Sequence, residues 1–186
     1  HNQDLVIASI RPVSKLHLEI DSFKQLAFTD PLTGLSNIHH FEQYLLDKAA
    51  LETSEKALSV FIRISLVNVT EYEDAFGEPT VDYILRILAS RFVRVFKANE
   101  ELNVNVFKHD RGNFILHLGA CFEDDYSAKS AALQCTIYLQ ENVLVPITLH
   151  NSSLAIETKT VSCAIPPKYF SLKKIKILIS LSIPVF

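Results

Sequence analysis

The sequence predicts an α+β domain with a mostly antiparallel central sheet flanked by helices. Three observations lead there. In ALSVFIRISLV, residues 57–67, Leu58, Val60, Ile62, Ile64 and Leu66 fall on one strand face and Phe61, Arg63, Ser65 and Val67 on the other. Two segments carry apolar residues at helical spacing: Ile38, Phe41, Leu45 and Ala49, then Val81, Leu85, Leu88 and Phe92. Between 105 and 118, NVFKHDRGNFILHL reads as two short strands joined by a tight polar turn, which demands antiparallel pairing.

The remaining elements follow in chain order. Pro12 precedes an apolar stripe of Val13, Leu16, Ile20, Phe23 and Ala27. Proline favours helix starts, and the stripe suits either a short coiled-coil seam or a surface helix packed on its own domain. TDPLTGLSN is a loop, with Asn37 placed to cap the next helix. TEYEDAFGEP, rich in acid, reads as a loop leading into a helix whose first turn holds Pro79. The hairpin strands are expected near 103–108 and 113–118, followed by a helix over 124–142. VPITL and LAIETKTVSCAI are expected to form a second antiparallel pair. The division expected is a linker or signalling helix over 1–28 and one domain over 29–186.

Composition bounds the function without naming it. The 186 residues, 48% hydrophobic and 21% charged, suit one domain with a core, or one domain plus a helical appendage. A net charge of −3 exerts no broad pull toward nucleic acid or an anionic membrane surface. Cys121, Cys135 and Cys163 are odd in number and lack metal-ligand spacing, so they read as buried reduced thiols of a cytosolic protein. The chain has no methionine, the expectation being a fragment or processed chain with His1 left from a tag. The tail IKILISLSIPVF is too short to span a bilayer and reads as core or interface. Asn68 and Asn151 fit the glycosylation pattern, which is read as chance without a secretion signal.

Four motifs then line up in one order. DPLTGLSN, Asp30 to Asn37, resembles the D-x-L-T-G-L-x-N opening of GGDEF domains, the diguanylate cyclase family. EDAFGEPTVD resembles N-D-x-x-G-H-x-x-G-D, with Glu73, Asp74, Gly77 and Asp82 in step. VFKHDRGNFIL lies where the family has x-x-R-x-G-G-D-E-F-x-x-L, with Phe114 on the final Phe, and TVSCAI from Thr160 is similar to a late T-V-S-I-G strand. The resemblance covers roughly residues 25 to 165. It implies a palm-like domain of the nucleotidyl cyclase type, in a bacterial cyclic di-GMP signalling protein. Two such domains each hold one GTP and condense them across a dimer interface. The chemistry implied is phosphoryl transfer assisted by two divalent cations, which need oxygen ligands and above all carboxylates.

Carried over residue by residue, the resemblance finds the acids gone. The first-strand metal Asp corresponds to Ser65 and the next Asp on that face to Val67. The hairpin acids correspond to Gly112 and Asn113, and the two glycines before them to Asp110 and Arg111. Arg63, on the face of Ser65 and about 6 to 7 Å along the strand, and Arg111 in the turn would both repel a divalent cation if turned inward. The alternative is that both snorkel to solvent. Asp110 is displaced about two residues from the ligand position and reads as a turn residue capping local amides. The guanine-reading Asn corresponds to Glu73 and the guanine-reading Asp is kept as Asp82. The pair could still accept from guanine's N1 and N2 donors, or be a solvated loop acid and a helix-start acid. The product-inhibition motif maps onto Glu101 and Val104 and is absent. The phosphate-binding C-terminal helix is unrecognisable, although Lys173, Lys174 and Lys176 lie in that region. His39, His40, His109 and His117 receive no ligand role.

The expectation is therefore a degenerate GGDEF domain with no catalytic or metal residues. It would act as a regulatory or dimerisation module, partnered by a second copy or by a neighbouring signalling domain such as a phosphodiesterase. It would be cytoplasmic, or the cytoplasmic part of a membrane-anchored receptor, with no nucleic-acid or membrane contact. Two alternatives stay open: a GTP sensor without turnover using Asp82, Glu73 and the backbone after Ser65, or residual magnesium-dependent cyclase activity.

Overall fold

The structure, a computed structural model, describes residues 23, 26–51, 57–67, 69–99, 102–149 and 152–166. The stripe from Val13 to Ile20, Asn68, Glu101, Asn151, and the tail with Lys173, Lys174 and Lys176 lie outside them. In chain order come α1 (Ile38–Leu51), β1 (Leu58–Leu66), α2 (Val69–Phe76), α3 (Glu78–Ala98), β2 (Val104–Asp110), β3 (Asn113–Phe122), α4 (Asp125–Asn142), β4 (Ile147–Leu149), β5 (Ser152–Leu154) and β6 (Thr158–Ile165). The main sheet is four-stranded and antiparallel, in the order β2-β3-β1-β6, and β4 and β5 form a separate two-stranded sheet. This is the α+β architecture expected, a central antiparallel sheet between helices.

β1 is central and buried on both faces. Val60, Ile62, Ile64 and Leu66 pack with Leu85, Leu88 and Phe92 of α3 and with Ala132 and Leu139 of α4. Phe61 meets Phe41 and Leu45 of α1 and Phe107 and Ile115 of the hairpin. The Phe41 ring lies 5.0 Å from Phe107 and 6.1 Å from Phe61. Burial of these large side chains, roughly 1.5–3 kcal/mol each, fixes the register, because a one-residue slip would exchange the two faces and drive Arg63 and Ser65 into the core under α3 and α4. Ala49 is exposed, so the apolar face of α1 ends a turn earlier than its spacing suggests. Beyond the cover of α1, the same face of β1 carries the half-buried Arg63 and Ser65.

Three expectations need correction. TEYEDAFGEP is not a loop: residues 69–76 form α2, whose Val69 and Tyr72 pack on the core, and Gly77 at φ 82° separates it from α3. Glu71 and Asp74 face water and Glu73 is half-buried, while Val69 and Tyr72, three apart on one face, hold the helix to the core and Phe76 at its end is exposed. VPITL does not pair with the whole of LAIETKTVSCAI: β4 pairs with β5, while β6 joins the main sheet beside β1. Cys121 is exposed rather than buried. Cys135 and Cys163 are covered, and burial pushes each thiol up to about 11.

Candidate functional site

The opening motif folds as a closed loop that fastens to the sheet. Asp30 N donates to Leu35 O and Gly34 N to Asp30 O, both at 2.8 Å, with Gly34 at φ 72°, a left-handed conformation that glycine adopts without strain. Asp30 Oδ1 accepts from Thr33 N and Thr33 Oγ1 at 2.9 and 2.5 Å. Asn37 caps α1 as expected, its Oδ1 accepting from His40 N at 3.0 Å. Lys108 N donates to Ser36 O at 2.7 Å, which attaches the loop to the outer edge of β2.

The β2–β3 turn is built by side chains. Asp110 pairs with Asn113, and Arg111 and Gly112 span the turn. Asp110 Oδ1 accepts from Gly112 N at 3.2 Å and from Asn113 Nδ2 at 2.5 Å, and Oδ2 meets His109 Nδ1 at 3.0 Å. Asp110 thus caps the turn, and these bonds, His109 first, hold its carboxyl well below the usual carboxylate range. Lys108, 5% exposed, donates from Nζ to Arg111 O at 2.8 Å and lies 4.8 Å from the Phe114 ring centroid. Burial pushes its ammonium down to about 8.

Two side-chain clusters hang from this turn. In the first, Ser65 lies opposite Asn113 in the β1–β3 ladder. Asn113 Oδ1 accepts from Arg63 Nε at 3.0 Å, Arg63 Nη2 at 2.9 Å and Ser65 Oγ at 2.5 Å. Arg63 therefore turns toward the hairpin and does not simply snorkel to solvent. Gly112 stands against α2: a Cβ there would meet Val69 Cγ2 at 2.8 Å. Val67 lies just past β1, its N–H donating to Glu157 O at 2.9 Å. Among the described residues, no group of three or more His, Cys, Asp or Glu side chains is arranged to hold a metal ion.

The second cluster joins three elements. Arg111 Nε donates to Glu73 Oε1 of α2 at 2.5 Å, and Nη1 to Asp82 Oδ1 of α3 at 2.8 Å. Nη2 lies 3.6 Å from Glu78 Oε1, is shielded from solvent and makes no hydrogen bond. The Glu73 hydrogen bond, then that of Asp82, raises the guanidinium pKa above its ordinary value. Glu73 is accordingly neither in a loop nor simply solvated, and Asp82 is more than a helix-start acid. Arg111 also lines a cleft of about 420 Å³ between the opening loop and the turn, with Leu32, Leu85 and Lys108 among its other walls.

Of the residues singled out in the sequence, Arg63, Ser65 and Asn113 meet in the first cluster and Glu73, Asp82 and Arg111 in the second, whereas Val67 bonds Glu157 and Phe114 packs in the core. What sequence reasoning missed is that Arg111 bonds both Glu73 and Asp82, and that Asn113 is where Arg63 and Ser65 converge. These partners lie 29 to 50 residues apart. The histidines are placed otherwise. His39 is exposed beside Glu42, His40 meets Ser36 Oγ at 2.8 Å, and His117 is buried with Nδ1 2.7 Å from Tyr44 Oη.

Comparison with known proteins places this geometry. The GGDEF domain of diguanylate cyclases matches residues 27–174. Among solved structures, a sensory box/GGDEF family protein from Caulobacter crescentus superposes with a TM-score of 0.64 at 20% identity, over 84% of this chain and 95% of that one. The coiled coil and GGDEF domain of DgcB from the same organism, in complex with c-di-GMP, gives 0.64 at 16% identity over 83% and 78%. The S helix-GGDEF-EAL portion of Vibrio cholerae LapD, bound to c-di-GMP, gives 0.60 at 13% identity over 90% of this chain and 35% of that one. No curated protein sequence matches. With the motif-bearing loop, the β2–β3 turn and the α+β sheet all in the matched span, the chain belongs to the GGDEF, diguanylate cyclase, family.

Proposed function

We propose that this chain is a GGDEF domain that does not turn over nucleotide, and that it serves a cyclic di-GMP signalling protein as a regulatory or dimerisation module. The observation that carries the reading is the Arg63–Asn113–Ser65 cluster. The four positions matched to the family's metal acids hold Ser65, Val67, Gly112 and Asn113, and a guanidinium is bonded among them.

This donor set does not fit a hard divalent cation. Magnesium binds through anionic carboxylates, water and substrate phosphates. Here the oxygen best placed to accept, Asn113 Oδ1, already takes three hydrogen bonds, two of them from a cation. Cation stabilisation of phosphoryl transfer is worth several kcal/mol of barrier, and the hydroxyl and amide provide no charge to replace it. The regulatory half of the reading draws on the fold: relatives of the same architecture occur joined to a coiled coil or to an EAL domain. The apolar stripe through Leu16 and Ile20 would supply the seam between two copies.

The test is incubation of the chain with GTP and magnesium, followed by chromatography for a cyclic dinucleotide. No product is expected at any magnesium concentration, and metal-dependent product would overturn the non-catalytic reading. Sedimentation addresses the module role. Self-association that weakens in Leu16→Ser/Ile20→Ser is expected, and a monomer at high concentration would count against dimerisation.

A further inference from the structure

We propose that Arg111 is an internal occupant of the Glu73–Asp82 acid pair, and that the pair accepts the donor edge of a guanine base only once Arg111 is displaced. This deepens the non-catalytic reading above and rests on it.

The argument begins with the geometry of the donors. A guanidinium presents adjacent N–H groups in one rigid plane, and Arg111 directs Nε at Glu73 and Nη1 at Asp82. The N1–H and N2–H groups of guanine form the same kind of array: planar, adjacent, all donors. Two carboxylates set to receive one are set to receive the other, and cannot hold both. Adenine presents an acceptor at its N1 and does not complement two acids.

Access points the same way. The cleft of about 420 Å³ falls in the size range of small-molecule sites. Arg111 lines it, with Leu32 and Leu85 as apolar walls, whereas Glu73 and Asp82 do not line it. An entering base therefore meets the guanidinium and not the acids. The arginine is also held from behind, its carbonyl oxygen bonded by the buried Lys108. Yet the clamp is incomplete, since Nη2 is hidden from solvent and meets only Glu78 Oε1, at 3.6 Å, without a hydrogen bond. An occupant that is covalently attached, charge-assisted and imperfectly satisfied keeps a site closed while leaving it open to exchange.

The experiment is calorimetric titration of GTP and of ATP, without metal, into the wild-type chain, Arg111→Ala, Arg111→Lys and Arg111→Ala/Asp82→Ala. The wild type should bind neither nucleotide measurably. Arg111→Ala should bind GTP at least about tenfold tighter than ATP, the scale of one charge-assisted hydrogen bond, and the double variant should lose that preference. Arg111→Lys, which keeps the charge without the fork, should fall between wild type and Arg111→Ala. The inference is overturned if Arg111→Ala gains no GTP binding, if it binds ATP equally, or if the wild type already binds GTP as well as the variant does. Should the alanine variants unfold, the wild type decides by NMR: Arg111 Nε–H exchange should be slow and unchanged by GTP. Fast exchange would refute the internal clamp. None of these outcomes bears on turnover, which the magnesium assay reads separately.

Discussion

Alanine at Gly112 tests whether the turn can take back a side chain. In the reading proposed above Gly112 stands where the family has an acid, and any carboxylate placed there must first fit a Cβ. That Cβ would lie 2.8 Å from Val69 Cγ2 and 3.6 Å from Leu66 O. The first contact is about 0.7–1.2 Å inside the optimal carbon–carbon separation. Val69 begins α2, and its β-branched side chain has one strongly preferred helical rotamer, so it cannot swing away cheaply. Overpacking of this kind costs about 1–3 kcal/mol. The glycine is not at positive φ, so replacing it should otherwise return about 0.4–1 kcal/mol through the unfolded chain. The expected net is a loss of roughly 1–2 kcal/mol, read from urea unfolding at constant m-value. In a double-mutant cycle, Val69→Ala should relieve the clash, with a favourable coupling of about 1 kcal/mol or more. If Gly112→Ala stabilises the chain, or if its cost is the same with Val69 truncated, the packing argument fails.

Two further predictions concern the fold around the hairpin. His117 is 2% exposed, its ring 4.7 Å from that of Phe61, and burial, with a smaller effect of Lys48, pushes it down to about 4 from 6.5. The unfolded chain therefore takes up this proton first, and stability should fall by about 3 kcal/mol as pH drops from 6.5 to 4. His117→Phe should remove that slope in pH-dependent unfolding, and an unchanged slope would clear His117 of responsibility. Asn37→Ala removes the cap on His40 N and the Asn37 Nδ2 bond to Ala27 O at 2.9 Å. A loss of about 1–2 kcal/mol is expected by thermal unfolding, and a change below about 0.3 kcal/mol would show that the loop is held by other contacts.

Much of this protein was legible along the chain. Period-two alternation placed β1, helical spacing placed α1 and α3, and the polar turn between apolar runs placed the hairpin, since each is a local pattern that backbone geometry imposes. The family motifs were legible too: the opening loop and the hairpin that carry them lie in the matched span, and the resemblance set the expectation that Ser65, Val67, Gly112 and Asn113 stand where the family has acids. α2 was obscured because its acids and the following glycine and proline resemble loop composition, although Val69 and Tyr72 carried the signal. The choice of β1 as the partner of β6 belonged to the tertiary structure, because strand pairing is set by which faces can be buried together. So did the two clusters at the turn. An arginine in a sequence is equally ready to snorkel or to pair. Only folding brings Asn113 to Arg63 and Ser65, and Glu73 and Asp82 to Arg111, across separations that no local pattern encodes.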